Sequence, residues 1–413
     1  MSGILRDALR ASLEDVIEEI NPLSDHVETE IDQVLMEVEE ANDEVVQADT
    51  VVDELETAES SLEAIIVTLE AHIAEGGMGP QTARSHQVSL ENALRRLPID
   101  ATHYTVSSES FGGTGDKLTA SMEAMERVKE ILNKIWTAIK NAVVKAYNAV
   151  RTFIGTIGKS ARALKNGAAQ LRSRANAVRG KGVKGDDELN ATAAAKMFHM
   201  GGKFDSGSVA SGLGDIAKGG NAIGAASEKA SSAMAGFGDD ILDGSFDRGK
   251  AILTLAKAAF DGVPGQLPGG YTISKKIDNP PSISMSQANK FSGDAKVKPD
   301  LSQVANIATG VDAVATFLEN YSGKSFKKME KDSNDLLKVV KAEIAKAKEG
   351  DDVGKMKANL NSVTRMNSIV RSVGPQYCSY AARAAKTALA YGNQIVKKHG
   401  AEASAPAADA ATA

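Results

Sequence analysis

From Lys117 to Lys184 the chain carries 15 Lys and Arg against 3 Glu, a local net of +12, and an apolar residue returns every three or four positions. The apolar set is Leu118, Met122, Met125, Val128, Leu132, Ile135, Ile139, Val143, Tyr147, Val150 and Ile154. Side chains three and four apart share one side of a helix. The spacing therefore predicts a long amphipathic helix with an apolar stripe and a cationic remainder.

What precedes this helix has the opposite charge. Residues 1–109 hold 25 Asp and Glu against 5 Lys and Arg, a net of -20, and residues 110–413 hold the other 29 acids and 43 bases, a net of +14. The whole-chain net of -6 hides this partition. An acidic arm joined to a basic body points to a body that meets nucleic acid or another polyanion. The plainer alternative is an acidic face that only keeps the protein solvated.

Taken in order, the chain reads as mainly α with little or no β. We expect an acidic helical leader over 1–109 and a basic amphipathic region over 110–184. Short helices and loops rich in Gly, Ala, Ser and Pro follow over 185–300, then a helical bundle over 301–400 and a low-complexity tail over 401–413. Within the leader, residues 3–20 form one helix, ended by Asn21-Pro22 because proline disfavours helical geometry in the residue before it. A long acidic helix over about 23–74 stops at Gly76-Gly77-Met78-Gly79-Pro80, and a short one runs from Thr82 to Leu97. Residues 102–115, THYTVSSESFGGTG, form an exposed linker where the charge changes sign.

After the basic helix, Gly201-Gly202, Gly219-Gly220 and Gly236 each mark an expected break. Residues 250–260 form a short helix. The section from Pro264 to Pro299 holds five of the ten prolines and leaves room for a short strand near Tyr271–Ile277. Helices are expected from Leu301 to Tyr321, Phe326 to Ala347, Val353 to Val373 and Gln376 to Lys398, the last two separated at Gly374-Pro375. Short connections between them favour an antiparallel bundle.

No catalytic constellation is present in the sequence. The six histidines (His26, His72, His86, His103, His199, His399) are scattered, and none stands with Cys or carboxylates at metal-ligand spacing. Gly212-x-Gly214 lacks the surrounding fingerprint of a phosphate loop. The single cysteine, Cys378, has no intrachain partner and reads as a packed structural thiol. We therefore expect neither an enzyme, nor a cofactor, nor a metal site. We also expect no membrane span and no secretory signal.

The basic helix supports three readings. Its cations, Lys134, Lys140, Lys145, Arg151, Lys159, Arg162, Lys165, Arg172, Arg174, Arg179, Lys181 and Lys184, suit contact with a nucleic-acid backbone without base readout. Its apolar side, with Trp136, Phe153 and Ile154, suits a membrane surface. Or the stripe packs inside the protein and the charge is solvated, which is compatible with the first reading. Few aromatics interleave with the cations, which disfavours single-strand stacking and favours duplex DNA.

One further pattern links these parts. An acidic helical leader with a GG-x-x-P-Q-T-A turn (Gly76 to Ala83) runs into Ser107-Ser108-Glu109-Ser110-Phe111-Gly112-Gly113. The segment MEAMERVKEILNKIWTAIKNAVVKAYNAV follows, from Met122 to Val150. Over about residues 50–155 this order resembles the internal head proteins of large-genome tailed bacteriophages. The resemblance implies a virion component made with a propeptide, packaged in the prohead and cut by a prohead protease at small-x-Glu sites. Carried onto this chain, the cut falls between Glu109 and Ser110. Other matching triplets, such as Ser61-Leu62-Glu63 and Ser121-Met122-Glu123, lie in expected helices that a protease cannot extend. Gly400-Ala401-Glu402 is the second candidate, in the tail. The implied partners are packaged double-stranded DNA, the prohead protease, the capsid or other core proteins, and further copies of the chain. Two alternatives stay open: a membrane-active helical protein delivered with the genome, and a scaffolding core protein that leaves the head.

Overall fold

The computed structural model describes residues 25–95, 97, 117–180, 188–243, 246–277, 282–346 and 374–401. The expected helices over 3–20 and 353–373, the linker over 102–115 and residues 402–413 of the tail lie outside the described residues, while Ala401, expected as the start of the tail, ends the last helix. The fold is mainly α. Its helices are α1 (Asp25–Ala74), α2 (Pro80–Leu94), α3 (Lys117–Ala177), α4 (Thr192–Phe198), α5 (Ser208–Asp243), α6 (Arg248–Phe260), α7 (Leu301–Asn320), α8 (Phe326–Lys346) and α9 (Gly374–Ala401). The short strands are β1 (Leu189–Asn190), β2 (Gln266–Leu267), β3 (Tyr271–Lys276), β4 (Ser282–Gln287) and β5 (Lys296–Val297).

The chain divides into two compact units, one of residues 1–42 with 152–413 and the other of residues 43–151. The second unit holds most of α1, all of α2 and the first half of α3. Its core is aliphatic: Leu55, Leu62, Leu69, Leu90, Leu94, Val128 and Ile135 are buried. α1 ends as its glycines dictate, with Gly76 and Gly77 at φ of +94° and +102°. The Gly77 N–H donates to the His72 carbonyl at 2.8 Å. A methyl group at Gly77 would sit 2.4 Å from the Lys117 carbonyl carbon, so this turn takes no larger residue. Pro80 then opens α2 where a missing N–H costs nothing. The Met78 N–H donates to Ser121 Oγ at 3.0 Å and ties the turn to α3.

The first unit is built around α5, which packs on α6, α7, α8 and α9. Here the structure departs from the sequence expectation. Gly219-Gly220 and Gly236 do not break the chain, and one helix of 36 residues runs through all of them. The reason is packing. An added methyl at Gly220 would lie 2.7 Å from the Phe317 ring, and one at Gly219 would lie 2.4 Å from Tyr377 Oη. At Gly212 it would meet Phe198 at 2.8 Å. Small residues let α7 and α9 approach the α5 backbone closely, and burial there outweighs the poor helix propensity of glycine. Gly201-Gly202 does mark a turn, at φ of +58° and +78°.

Aromatics are few but gathered. Tyr271, Tyr380, Tyr377, Phe317 and Tyr321 form a chain of ring contacts with centroid separations of 5.0, 5.9, 5.8 and 6.0 Å. Two hydroxyls are satisfied inside it: Tyr377 donates to the Ile216 carbonyl at 2.6 Å and Tyr380 to the Pro268 carbonyl at 2.9 Å. Cys378 is fully buried beside them, and burial pushes its thiol pKa well up.

The expected strand near Tyr271–Ile277 is β3, and it belongs to a sheet of order β2-β3-β4, antiparallel throughout. Tyr271 pairs with Gln287 and Ile273 with Met285. Leu189 and Asn190 pair separately with Val297 and Lys296. Asp300 opens α7 by accepting from the Ser302 N–H at 2.9 Å, and a π-helical turn, Tyr321–Ser325, carries α7 into α8 where a break was expected. Leu301–Leu336 is long and apolar enough to cross a membrane by length and composition. Its apolar residues Val304, Ile307, Val311, Val314, Leu318 and Leu336 are nonetheless buried within the protein.

Candidate nucleic-acid interface

α3 runs for 61 residues because nothing in it interrupts the helical period and its apolar stripe finds a core. Val128, Ile135, Val150, Phe153, Ile154, Ile157, Leu164 and Leu171 are buried, which turns the cations outward. Among the described side chains of this helix, Met122 is a bulky apolar group that is about half exposed, and those of Trp136, Ile139, Val143 and Tyr147 lie outside the described residues.

The cations differ in what they meet. In the unit of residues 43–151, Lys134 pairs one turn away with Glu130 at 3.0 Å, while Lys145 and Arg151 are exposed. Lys140 lies on the same helix. In the other unit, Lys159 donates to Glu37 at 3.4 Å. Lys165 pairs with Glu319, and its hydrogen bond and charge, with a smaller contribution from Arg162, hold that carboxyl below the usual range. Arg172 pairs with Asp312 and reaches Thr309 at 3.5 Å, and Arg174 donates to Asn393 Oδ1 at 3.3 Å. Arg162 is exposed on α3 and Arg179 just beyond its end. Lys181, Lys184, Ser107, Ser108, Glu109, Ser110 and Glu402 lie outside the described residues.

Two features of this surface are invisible to sequence reading. α7 brings Asp312 and Glu319 onto the second half of α3, more than 130 residues away in the chain, and residues 25–42 bring Asp32, Glu37 and Glu39 onto α3 and α9. No local pattern announces such pairings. The helix-end cation Lys275 was also missed: from β3 it donates to the Phe260 carbonyl at 3.2 Å, at the C-terminus of α6 where a positive charge is favoured.

Among the described residues no group of three or more His, Cys, Asp or Glu is placed to hold a metal. His199 is buried, its Nδ1 accepting from the Gly202 N–H at 3.3 Å, and burial lowers its pKa. Within each unit the described cations of α3 stand beside buried apolar residues of the same helix: Lys134, Lys145 and Arg151 in one, and Lys159, Arg162, Lys165, Arg172 and Arg174 in the other.

The family model of the phiKZ-like phage internal head proteins matches residues 26–394. The chain belongs to that family. Comparison with curated proteins and with solved structures gave no match. The family match starts inside α1 and ends inside α9, so it takes in residues 26–109 of the acidic segment and residues 110–394 of the basic one. As an internal head protein of a large phage, the protein resides in the phage head, and its family is a structural one.

Proposed function

We propose that this internal head protein is made with residues 1–109 as an acidic propeptide. It enters the prohead, is cut between Glu109 and Ser110, and its basic body then lies against packaged duplex DNA. The observation that carries the reading is the charge boundary: a net of -20 before the cut and +14 after it. Removing the leader turns a weakly acidic protein into a cationic one at the point where DNA fills the head. Affinity then comes from counterion release and carries no sequence information.

The exposed cations Lys145, Arg151, Arg162 and Arg179 support backbone contact. Lys134, Lys140, Lys159, Lys165, Arg172, Arg174, Lys181 and Lys184 complete the proposed surface. Apart from the phosphates, its partners are the prohead protease that makes the cut and the capsid or core proteins around it. A membrane role is disfavoured by burial, since Phe153 and Ile154, which such a role would offer to lipid, are covered by protein.

The experiment is a fluorescence-anisotropy titration of a short duplex against the full chain before and after a cut behind Glu109, over a range of salt. We expect the cut protein to bind more tightly. The logarithm of its binding constant should fall with the logarithm of salt at a slope of roughly -0.9 per phosphate neutralised, whatever the duplex sequence. Uncut protein binding as tightly as cut protein at equal salt would remove the proposed role of the leader.

A further inference from the structure

We propose that residues 25–42 are a detachable acidic clamp on the basic body, and that duplex DNA displaces it after the cut. This rests on the DNA reading above and adds the residues and the release step.

The clamp is the first part of α1, and it packs within the same compact unit as the body. Its apolar side is covered: Ile31, Val34, Leu35, Val38 and Ala41 are all buried. Gly167 on α3 makes room for it. A methyl group there would lie 2.8 Å from Leu389 Cδ1 of α9 and 3.4 Å from Ile31 Cδ1, so three helices meet at a residue with no side chain. Around this seam stand three ion pairs. Glu37 accepts from Lys159 of α3 at 3.4 Å, Glu39 meets Arg383 Nε of α9 at 3.2 Å, and Asp32 pairs with Lys386 of α9. Arg383 and Lys386 are mostly covered, at 23% and 20% side-chain exposure, whereas their acidic partners are about half exposed. The body thus carries three cations that meet the leader's carboxylates in the uncut protein.

Two consequences follow. The first is that cutting at Glu109 severs a segment far along the chain from this seam and breaks none of its contacts, so the cut nicks the protein without freeing the clamp. The second is that a polyanion can replace what the clamp supplies. Phosphates offer Lys159, Arg383 and Lys386 the charge that the carboxylates gave them, and a dense DNA environment shifts the exchange by mass action. Release then adds up to three phosphate contacts, steepening the salt slope by up to about 2.7.

The test uses the full chain carrying a specific protease site placed after Glu109, with hydrogen exchange read by mass spectrometry over residues 30–42. Once undocked, residues 25–42 are the unpacked end of α1, and a helix end without tertiary packing frays and exchanges fast. We expect protection there before the cut and equal protection after it. Protection lost on cutting alone overturns the clamp. The triple variant D32N/E37Q/E39Q should lose protection, while E40Q/E44Q/E54Q, which changes net charge equally at other exposed acids of α1, should keep it. Equal behaviour of the two triples overturns the three pairs. Finally, duplex DNA added to the nicked wild-type protein should abolish protection at low salt. DNA that binds while residues 30–42 stay protected overturns displacement alone. A protein that binds no DNA, with protection intact after the cut, overturns displacement together with the DNA reading and leaves the docking standing.

Discussion

The glycines of α5 allow one substitution to be given opposite signs at different positions of a single helix. Replacing glycine by alanine in a solvent-facing helix interior stabilises by about 0.8–1.0 kcal/mol, because it removes backbone freedom from the unfolded chain. Gly214 and Gly236 are exposed, and a methyl group there would meet nothing within 4 Å. Gly214→Ala and Gly236→Ala should therefore each stabilise by close to that amount. At Gly220 the same methyl would stand 2.7 Å from three atoms of the Phe317 ring. That ring has little room to yield, packed against Tyr377 at 5.8 Å and Tyr321 at 6.0 Å. Overpacking of this kind costs about 1–3 kcal/mol, which offsets or exceeds the propensity gain. The net for Gly220→Ala then runs from near zero to about 2 kcal/mol destabilising. It should fall below Gly214→Ala by roughly 1–3 kcal/mol. Urea denaturation followed by circular dichroism reads this as midpoints moving in different directions. A Gly220→Ala protein as stabilised as the Gly214→Ala one would refute the claim that close helix contact is why glycine stands there.

The pH dependence of stability should show two limbs, both read by the same denaturation series. Burial raises the pKa of Tyr377, Tyr380 and Cys378, and that of Tyr391 to about 12, so their contribution is complete below the unfolded values near 9.0 and 10.0. It is lost as pH climbs toward the folded values, and Tyr380→Phe should flatten that alkaline decline. On the acid side, burial lowers the pKa of His199 and, with help from His72, that of His86. Stability should fall as pH drops below about 6.5, and His199→Gln should weaken the fall. A profile flat between pH 9 and 12 would contradict the buried tyrosine cluster.

How much of this could be read from residues alone varies with the range of the forces involved. α3 was legible because its apolar period holds over many turns and needs no knowledge of a partner. The stop at Gly76-Gly77 was legible because it is local backbone chemistry, whereas the next helix, expected from Thr82, begins two residues earlier with Pro80 at its first position. Gly219, Gly220 and Gly236 misled because local propensity counts glycine against a helix, whereas Phe317 and Tyr377, about 100 and 160 residues on, make it a requirement at the first two. β4, Ser282–Gln287, was missed because alternating serines carry little burial signal, and only its pairing with Tyr271–Lys276 makes it a strand. The sequence reading ends one helix at Tyr321 and starts the next at Phe326, yet between them the helix widens and continues through Tyr321–Ser325.

The candidate surface divides in the same way. The excess of cations on α3 was plain from composition, but which of them meet acids was not. Lys165 and Arg172 face α7, and Lys159 faces the leader, through contacts that no spacing along the chain encodes. The acidic segment that sequence reading treats as one leader serves both compact units of the fold, with residues 25–42 in one and residues 43–97 in the other.

The N-terminus of this protein in the mature phage particle decides most directly whether the acidic leader is removed. Purified virions, digested and analysed by mass spectrometry, should yield a semi-specific peptide beginning at Ser110, with peptides from residues 1–109 depleted relative to those from 110–413. Intact Met1 at full stoichiometry would show that the acidic leader is permanent, and the conversion of an acidic precursor into a cationic DNA-facing body would be contradicted.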